Sequence, residues 1–265
     1  MNASHQTNLV NKEHREGIVL LTVNRSDAKN AINAEVRAEL TAHLDEIESQ
    51  ESVVAVIITG AGDEAFVAGA DIKELAQRKP KDGLTAELQR LYDRIENFRI
   101  PTIAAVNGYA FGGGFELALA CDIRVAGKNA QFALPETGLG IIPAAGGTQR
   151  LTRIAGRGLA LDIVLTGRRV LGEEAISLGI ATYFSEQPVE KAWEIAKRIS
   201  RRAPFSNEIA KQVVKHGEDI NQATGMLLER MGQSIMYASP ERAEGTGAFI
   251  EKRRPDYTDL RNQNL

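Results

Sequence analysis

Two glutamates hold the chemistry that this chain could perform. Glu116 stands in the first turn of a segment, Phe115 to Cys121, that is otherwise apolar on every side. A helix of that kind is a buried one. A carboxylate there is rarely left unpaired, and desolvation pushes its pKa upward. No lysine or arginine stands close by in sequence to pair with it. Glu136 follows Pro135 at the end of a second apolar run, Ala130 to Leu134. The two acids therefore sit at the mouths of neighbouring buried elements, each beside glycine or proline. Gly112, Gly113 and Gly114 precede Glu116 directly, and glycine lets a backbone come close to a ligand. The triplet matches neither the dinucleotide fingerprint nor the phosphate loop. A strand, a glycine-rich turn and a buried helix with a carboxyl at its start read as a reaction site, not a hinge.

The elements that must position these acids follow from periodicity. Gly17–Val23, Val53–Thr59 and Thr102–Val106 are apolar runs of strand length, and Asp122–Ala126 and Ala130–Leu134 are further strand-like segments. Between them, Ala34–Ile47 carries Val36, Leu40, Leu44 and Ile47 at helical spacing, with glutamates on the other face. Ala65–Asp71 leads into a short helix from Ile72, residues 78–83 (RKPKDG) read as a mobile polar break, and Leu84–Phe98 reads as an amphipathic helix. Strands separated by helices predict an α/β fold with a mainly parallel sheet covered on both faces. Further helices are expected at Gly147–Ala155, Leu159–Leu165 and Glu173–Leu178, with a late strand at Ile180–Phe184. From Val189 the pattern is helical throughout, with a proline at 204 and a Ser239-Pro240-Glu241 helix start. The division read from this is a β/α core over 1–200 and a helical lobe over 201–265.

Composition narrows the function classes. The formal net charge of −3 argues against a nucleic-acid surface spread over the whole protein. The single cysteine, Cys121, lies in the buried helix and reads as a core residue; no Cys/His cluster has metal spacing. The N-terminal stretch MNASHQTN lacks a charged-then-apolar signal, and no apolar run approaches a membrane span. A cytoplasmic protein without membrane contact is the expectation.

The segments Ala65–Glu74 (AFVAGADIKE), Asn107–Arg124 (NGYAFGGGFELALACDIR) and Phe132–Leu151 (FALPETGLGIIPAAGGTQRL) carry a resemblance to the enoyl-CoA hydratase/isomerase (crotonase) superfamily. It runs from about Gly17 to the C-terminus. The resemblance implies a spiral of ββα units with a helical C-terminal region that assembles trimers, often stacked as hexamers. It implies acyl-coenzyme A thioesters as substrates, with no metal and no redox cofactor. The family's oxyanion hole falls on the backbone amides of Ala70 and Gly113, and losing one such donor typically costs on the order of 10²–10³ in rate. Both hydratase glutamates are filled, by Glu116 and Glu136. Two carboxyls of opposite protonation can hold one water and deliver one proton. Glu136 is then the acid for C2 and Glu116 the group that places the water. Substrate contacts are expected at Ala68, Asp71, Ile72, Lys73, Gly112, Pro135 and Ala144. Asp71 reads equally as a helix cap, and Lys73 as an exposed lysine. Ala144 departs from the family, which usually has glycine there; an alanine would be strained if the position took positive φ.

The activity expected is hydration of 2-enoyl-CoA. Double-bond isomerisation, with a single acid, is the alternative within the fold. RNA binding through Arg150, Arg153 and Arg157 is the alternative of another class, though the helix from residue 34 is acidic. The resemblance leaves the pathway open among fatty-acid β-oxidation, amino-acid degradation and aromatic-acid degradation, all of which use such enzymes.

Overall fold

The computed structural model describes residues 8–258 and Leu260; residues 1–7 of the polar N-terminal stretch lie outside it. The first sheet takes β1 (Val10–Arg15), β2 (Ile18–Val23), β3 (Ala55–Gly60), β5 (Thr102–Val106), β7 (Ile123–Ala126) and β10 (Tyr183–Phe184), in that spatial order. All of its pairings are parallel except the β1–β2 hairpin. A second sheet takes β4 (Ala65–Val67), β6 (Tyr109–Phe111), β8 (Gln131–Ala133) and β9 (Val170–Leu171).

The unbroken apolar runs of β3 and β5 exist because both faces of the first sheet are buried. Ala55, Ile57, Ile103 and Ala105 face one way, against Ala192, Ile195 and Ala196 of α9 (Pro188–Ser200). Val56, Ile58, Ala104 and Val106 face the main core, with Val36, Leu40, Leu44 and Ile47 of α1 (Ala34–Glu48). That core is closed on its far side by Phe66, Ala110, Phe132 and Val170 of the second sheet. Against β4 and β6 of the second sheet lies α5 (Gly113–Ala120), buried at all eight positions. So the helix that is apolar nearly all round is fully enclosed, with α4 (Glu87–Glu96), α6 (Gly147–Ala155) and β6 against it.

Three local readings are corrected. Residues 78–83 are no open break: α2 (Ile72–Leu75) is followed by α3 (Pro80–Thr85). Pro80 fills the first helical position, where its missing N–H is harmless. Asp82 accepts the Lys79 N–H at 2.7 Å, so residues that read as loop build a capped turn. The next helix starts at Glu87, not Leu84, because Ala86 turns left-handed at φ 48° between the two. The late strand keeps only Tyr183 and Phe184, pairing with β7. β1 was not expected, since it buries a single apolar residue, Val10.

α7 (Arg157–Thr166) leads into β9, and α8 (Gly172–Ser177) follows that strand. The chain ends in α10 (Pro204–Gly217), α11 (Gln222–Ala238) and α12 (Pro240–Ile250). These last three bury little: Gly232 in α11, and Glu241 and Ala248 in α12. Glu241 accepts the N–H groups of Phe205 and Ser206 at 3.0 Å each, satisfying the open start of α10. Among the described residues no helix is long and apolar enough to cross a membrane.

Candidate active site

The turn from β6 into α5 brings the two glutamates together. Gly112 has φ 50° and ψ −121°, a conformation only glycine takes without strain. Its N–H donates to Ala133 O of β8 at 2.9 Å. β8 runs through Leu134 and Pro135 into a short 3-10 turn, Glu136–Leu139. Glu136 therefore arrives beside Gly112: a Cβ added there would lie 3.0 Å from Glu136 Oε1. One turn on, Glu116 donates its N–H to Gly112 O at 3.0 Å. Gly112 is the shared neighbour of both acids.

The two carboxyls live in different surroundings. Glu116 is 2% exposed, and its Oε1 accepts the N–H groups of Ala145 at 2.7 Å and Gly147 at 2.9 Å. Burial raises its pKa on balance, and those two amides and the nearby Arg150 charge offset only part of the rise. Glu136 is 8% exposed, and its Oε2 is buried with no hydrogen-bond partner among the described residues. Burial pushes its pKa up to about 7, and the charge of Glu116 adds to the rise. A carboxyl that keeps its proton near neutrality thus sits beside one held as a hydrogen-bond acceptor, the kind of split that separates an acid from a base.

Two amides stand next to these acids. Ile32 bonds to the peptide groups flanking Ala70: Ile32 N–H to Gly69 O at 2.8 Å, and Asp71 N–H to Ile32 O at 3.0 Å. In a parallel pairing alternate peptide groups face opposite sides, so the Ala70 N–H is turned away from Ile32. Gly113 opens α5, where the first N–H groups have no intrahelical acceptor and the helix dipole is positive. Ala70 N lies 3.4 Å from where a Cβ on Gly113 would sit. The expected pair of amides is therefore adjacent. The glycine triplet divides its work: a Cβ on Gly114 would fall well inside contact distance of Val67 O, so that glycine serves helix packing, not ligand approach.

The other expected contacts separate. Ala68 donates its N–H to Lys29 O at 3.1 Å and lies half-buried on the Ala70 loop. Asp71 caps α2, its Oδ1 accepting Lys73 N–H at 2.9 Å, and pairs with Arg25 at 2.7 Å, which holds its pKa down. Ile72 and Lys73 are exposed on α2, and Pro135 is exposed beside Glu136. Ala144 is exposed and is not among the described non-glycine residues with positive φ. The strain considered for it does not arise; Gly146, at φ 106°, takes the left-handed position. Among the described residues no cluster of three or more His, Cys, Asp or Glu could hold a metal ion.

Comparison with known proteins decides the family. The family model described as enoyl-CoA hydratase/isomerase matches residues 13–261. The chain belongs to that family. Among relatives of this enoyl-CoA hydratase/isomerase chain is a putative enoyl-CoA hydratase/isomerase of Bacillus subtilis, YngF, 42% identical over 92% of this chain and 96% of its own length. The 2,3-dehydroadipyl-CoA hydratase of Escherichia coli is 38% identical, covering 94% of this chain and 97% of its own. The crystal structure of an enoyl-CoA hydratase from Bacillus anthracis superposes with a TM-score of 0.91 at 36% identity, over 94% of this chain and 99% of that one. The crotonase architecture expected from the motifs is the one present.

Several residues around the site were not singled out from sequence. Arg25 and Asn30 brace the Ala70 loop from 35 to 46 residues away: Asn30 Nδ2 donates to Ala65 O at 2.8 Å, and Arg25 holds Asp71. Asn30 also sits at φ 59°, and the Asp27-Ala28-Lys29-Asn30 turn was the available signal. The Tyr92 hydroxyl is buried without a hydrogen-bond partner among the described residues. Arg150 was read as a candidate for RNA. Instead it is 7% exposed and paired with Asp93 at 2.6 Å and Glu96 at 2.7 Å, while Arg153 pairs with Asp219.

Proposed function

We propose that the protein is an enoyl-CoA hydratase, adding water across the C2–C3 double bond of a 2-enoyl-CoA thioester. The observation that carries this reading is the pairing of two unlike carboxyls, close enough that the charge of Glu116 raises the Glu136 pKa. Glu116 is fixed as an acceptor by two amides, and Glu136 retains a proton up to about pH 7. Glu116 would hold the water and take its proton as the oxygen bonds to C3. The alkene electron pair moves toward the thioester, whose oxygen gains negative charge between the N–H groups of Ala70 and Gly113. Such preorganised donors act where charge develops. The enolate then takes a proton at C2 from Glu136. The proton gained by Glu116 and the one lost by Glu136 re-equilibrate through water before the next turnover. Atoms and electrons balance without a redox partner or a metal, so coenzyme A enters only as part of the substrate.

An isomerase needs one acid, and the second one favours hydration. A loss of crotonyl-CoA absorbance on mixing with the protein supports the reading; no loss, with turnover of a 3-enoyl-CoA, would replace it with isomerisation. An RNA-binding role is disfavoured, because Arg150 and Arg153 are engaged by acids and α1 presents glutamates. We further propose that residues 201–265 form the region through which a trimer or hexamer assembles, that the chain works in the cytoplasm, and that β-oxidation is its setting.

A further inference from the structure

Arg150 does more than bridge two helices. Its Nη1 donates to Ala145 O at 2.8 Å, and its Nη2 to Asp93 and Glu96 of α4. Ala145 is the same residue whose N–H holds Glu116 Oε1. The turn is folded around the guanidinium: Gly146, at φ 106°, has no room for a Cβ, which would strike Arg150 Nη1. An ion pair that only fastened α6 to α4 would need neither the carbonyl bond nor the glycine. A planar fork with several donors can reach one carbonyl and two carboxylates together, whereas an ammonium on a flexible stem cannot hold that arrangement.

We propose that Arg150, anchored by Asp93 and Glu96, is a positioning residue that fixes the Ala145–Gly147 turn and through it the orientation of the Glu116 carboxylate. α4 thereby reaches the Glu116 carboxylate through the guanidinium and the turn. The kinetic consequence rests on the hydratase reading; the structural one does not. The charged or titratable groups around Glu116 are Arg150 from α6, Tyr92 from α4 and Glu136 from the turn after β8. Lys215 of α10 stands 4.0 Å from Glu96 on the outer side of the clamp. Removing Arg150 takes away a cation and slackens two amides. Both changes raise the Glu116 pKa, so its titration moves to higher pH.

The test uses the intact protein with Arg150→Met and Arg150→Lys, and Arg153→Ala as a control one turn away. For Arg150→Met, kcat on crotonyl-CoA should fall on the order of 10², the usual cost of misplacing a reacting group by an ångström, with KM within about threefold. The acid limb of kcat should move to higher pH. Arg150→Lys keeps the charge but loses the fork, so it should lose kcat with a smaller shift of that limb; it serves if Arg150→Met does not fold. Unchanged kcat and an unmoved acid limb in the folded variants overturn the clamp. If the wild-type protein hydrates nothing, the hydratase reading fails alone. NMR of carboxyl-labelled glutamate, with Glu116 assigned by its loss in Glu116→Gln, then decides. An upward titration shift in Arg150→Lys, which keeps the charge, supports the clamp, and no shift in that variant overturns it.

Discussion

Keeping Glu136 away from water, with its Oε2 lacking a partner among the described residues, is unfavourable whenever the group is ionised. Its folded pKa, about 7, lies above the ordinary 4.5. Between those values the folded protein binds more protons than the unfolded chain, so stability falls as pH rises across that window and levels off above it. Glu136→Gln removes this penalty. In urea denaturation at about pH 5 and about pH 8, the variant should gain on the wild type at the higher pH, by no more than about 3 kcal/mol at 1.36 kcal/mol per pH unit. Equal curves at both values would show that the carboxyl is not desolvated. The same group should govern activity. If Glu136 must be protonated and Glu116 ionised, kcat/KM rises as Glu116 loses its proton and declines above about pH 7. Glu116→Gln and Glu136→Gln should each lower kcat by about 10²–10⁴ while still binding a saturated acyl-CoA in calorimetry. Turnover retained in either variant would remove that residue from the mechanism.

At the scale of elements, the arrangement depends on how closely α5 approaches β4. Gly114 has no room for a side chain against Val67 O. Gly114→Ala should destabilise the fold by about 3 kcal/mol, seen as a lower melting temperature. Much of this layout was legible beforehand. The run from Thr102 to Cys121 announces a buried strand, a turn and a buried helix by composition, and the acids at 116 and 136 stand out against it. What stayed hidden was whatever depends on partners distant in sequence. Arg150 meets Asp93 and Glu96 across more than fifty residues, and no periodicity reports such a pairing. The turn at Pro80 was missed for another reason. Its helix is held by a cap and a proline, not by an apolar face, so no hydrophobic spacing marked it.

For the whole molecule, the last three helices pose a different problem from the core. Leu227, Met231 and Ile235 are exposed on α11 at four-residue spacing, with Val214 exposed on α10. An apolar stripe of that kind is a candidate contact surface. The trimer implied by the family resemblance would cover it. Met231→Glu should shift the protein toward monomer in light scattering while leaving the circular dichroism of the core unchanged. An unaltered mass would place the assembly contact elsewhere.

The complete enclosure of α5 has one more consequence. Its amides have no route to solvent short of parting β4, β6, α4 and α6 from it, so deuterium should enter Phe115–Ala120 only as the entire body opens. The acid on that helix then cannot drift out of place while the rest stays native. On warming, loss of turnover and loss of native circular dichroism should trace one curve, with no dormant folded form between them.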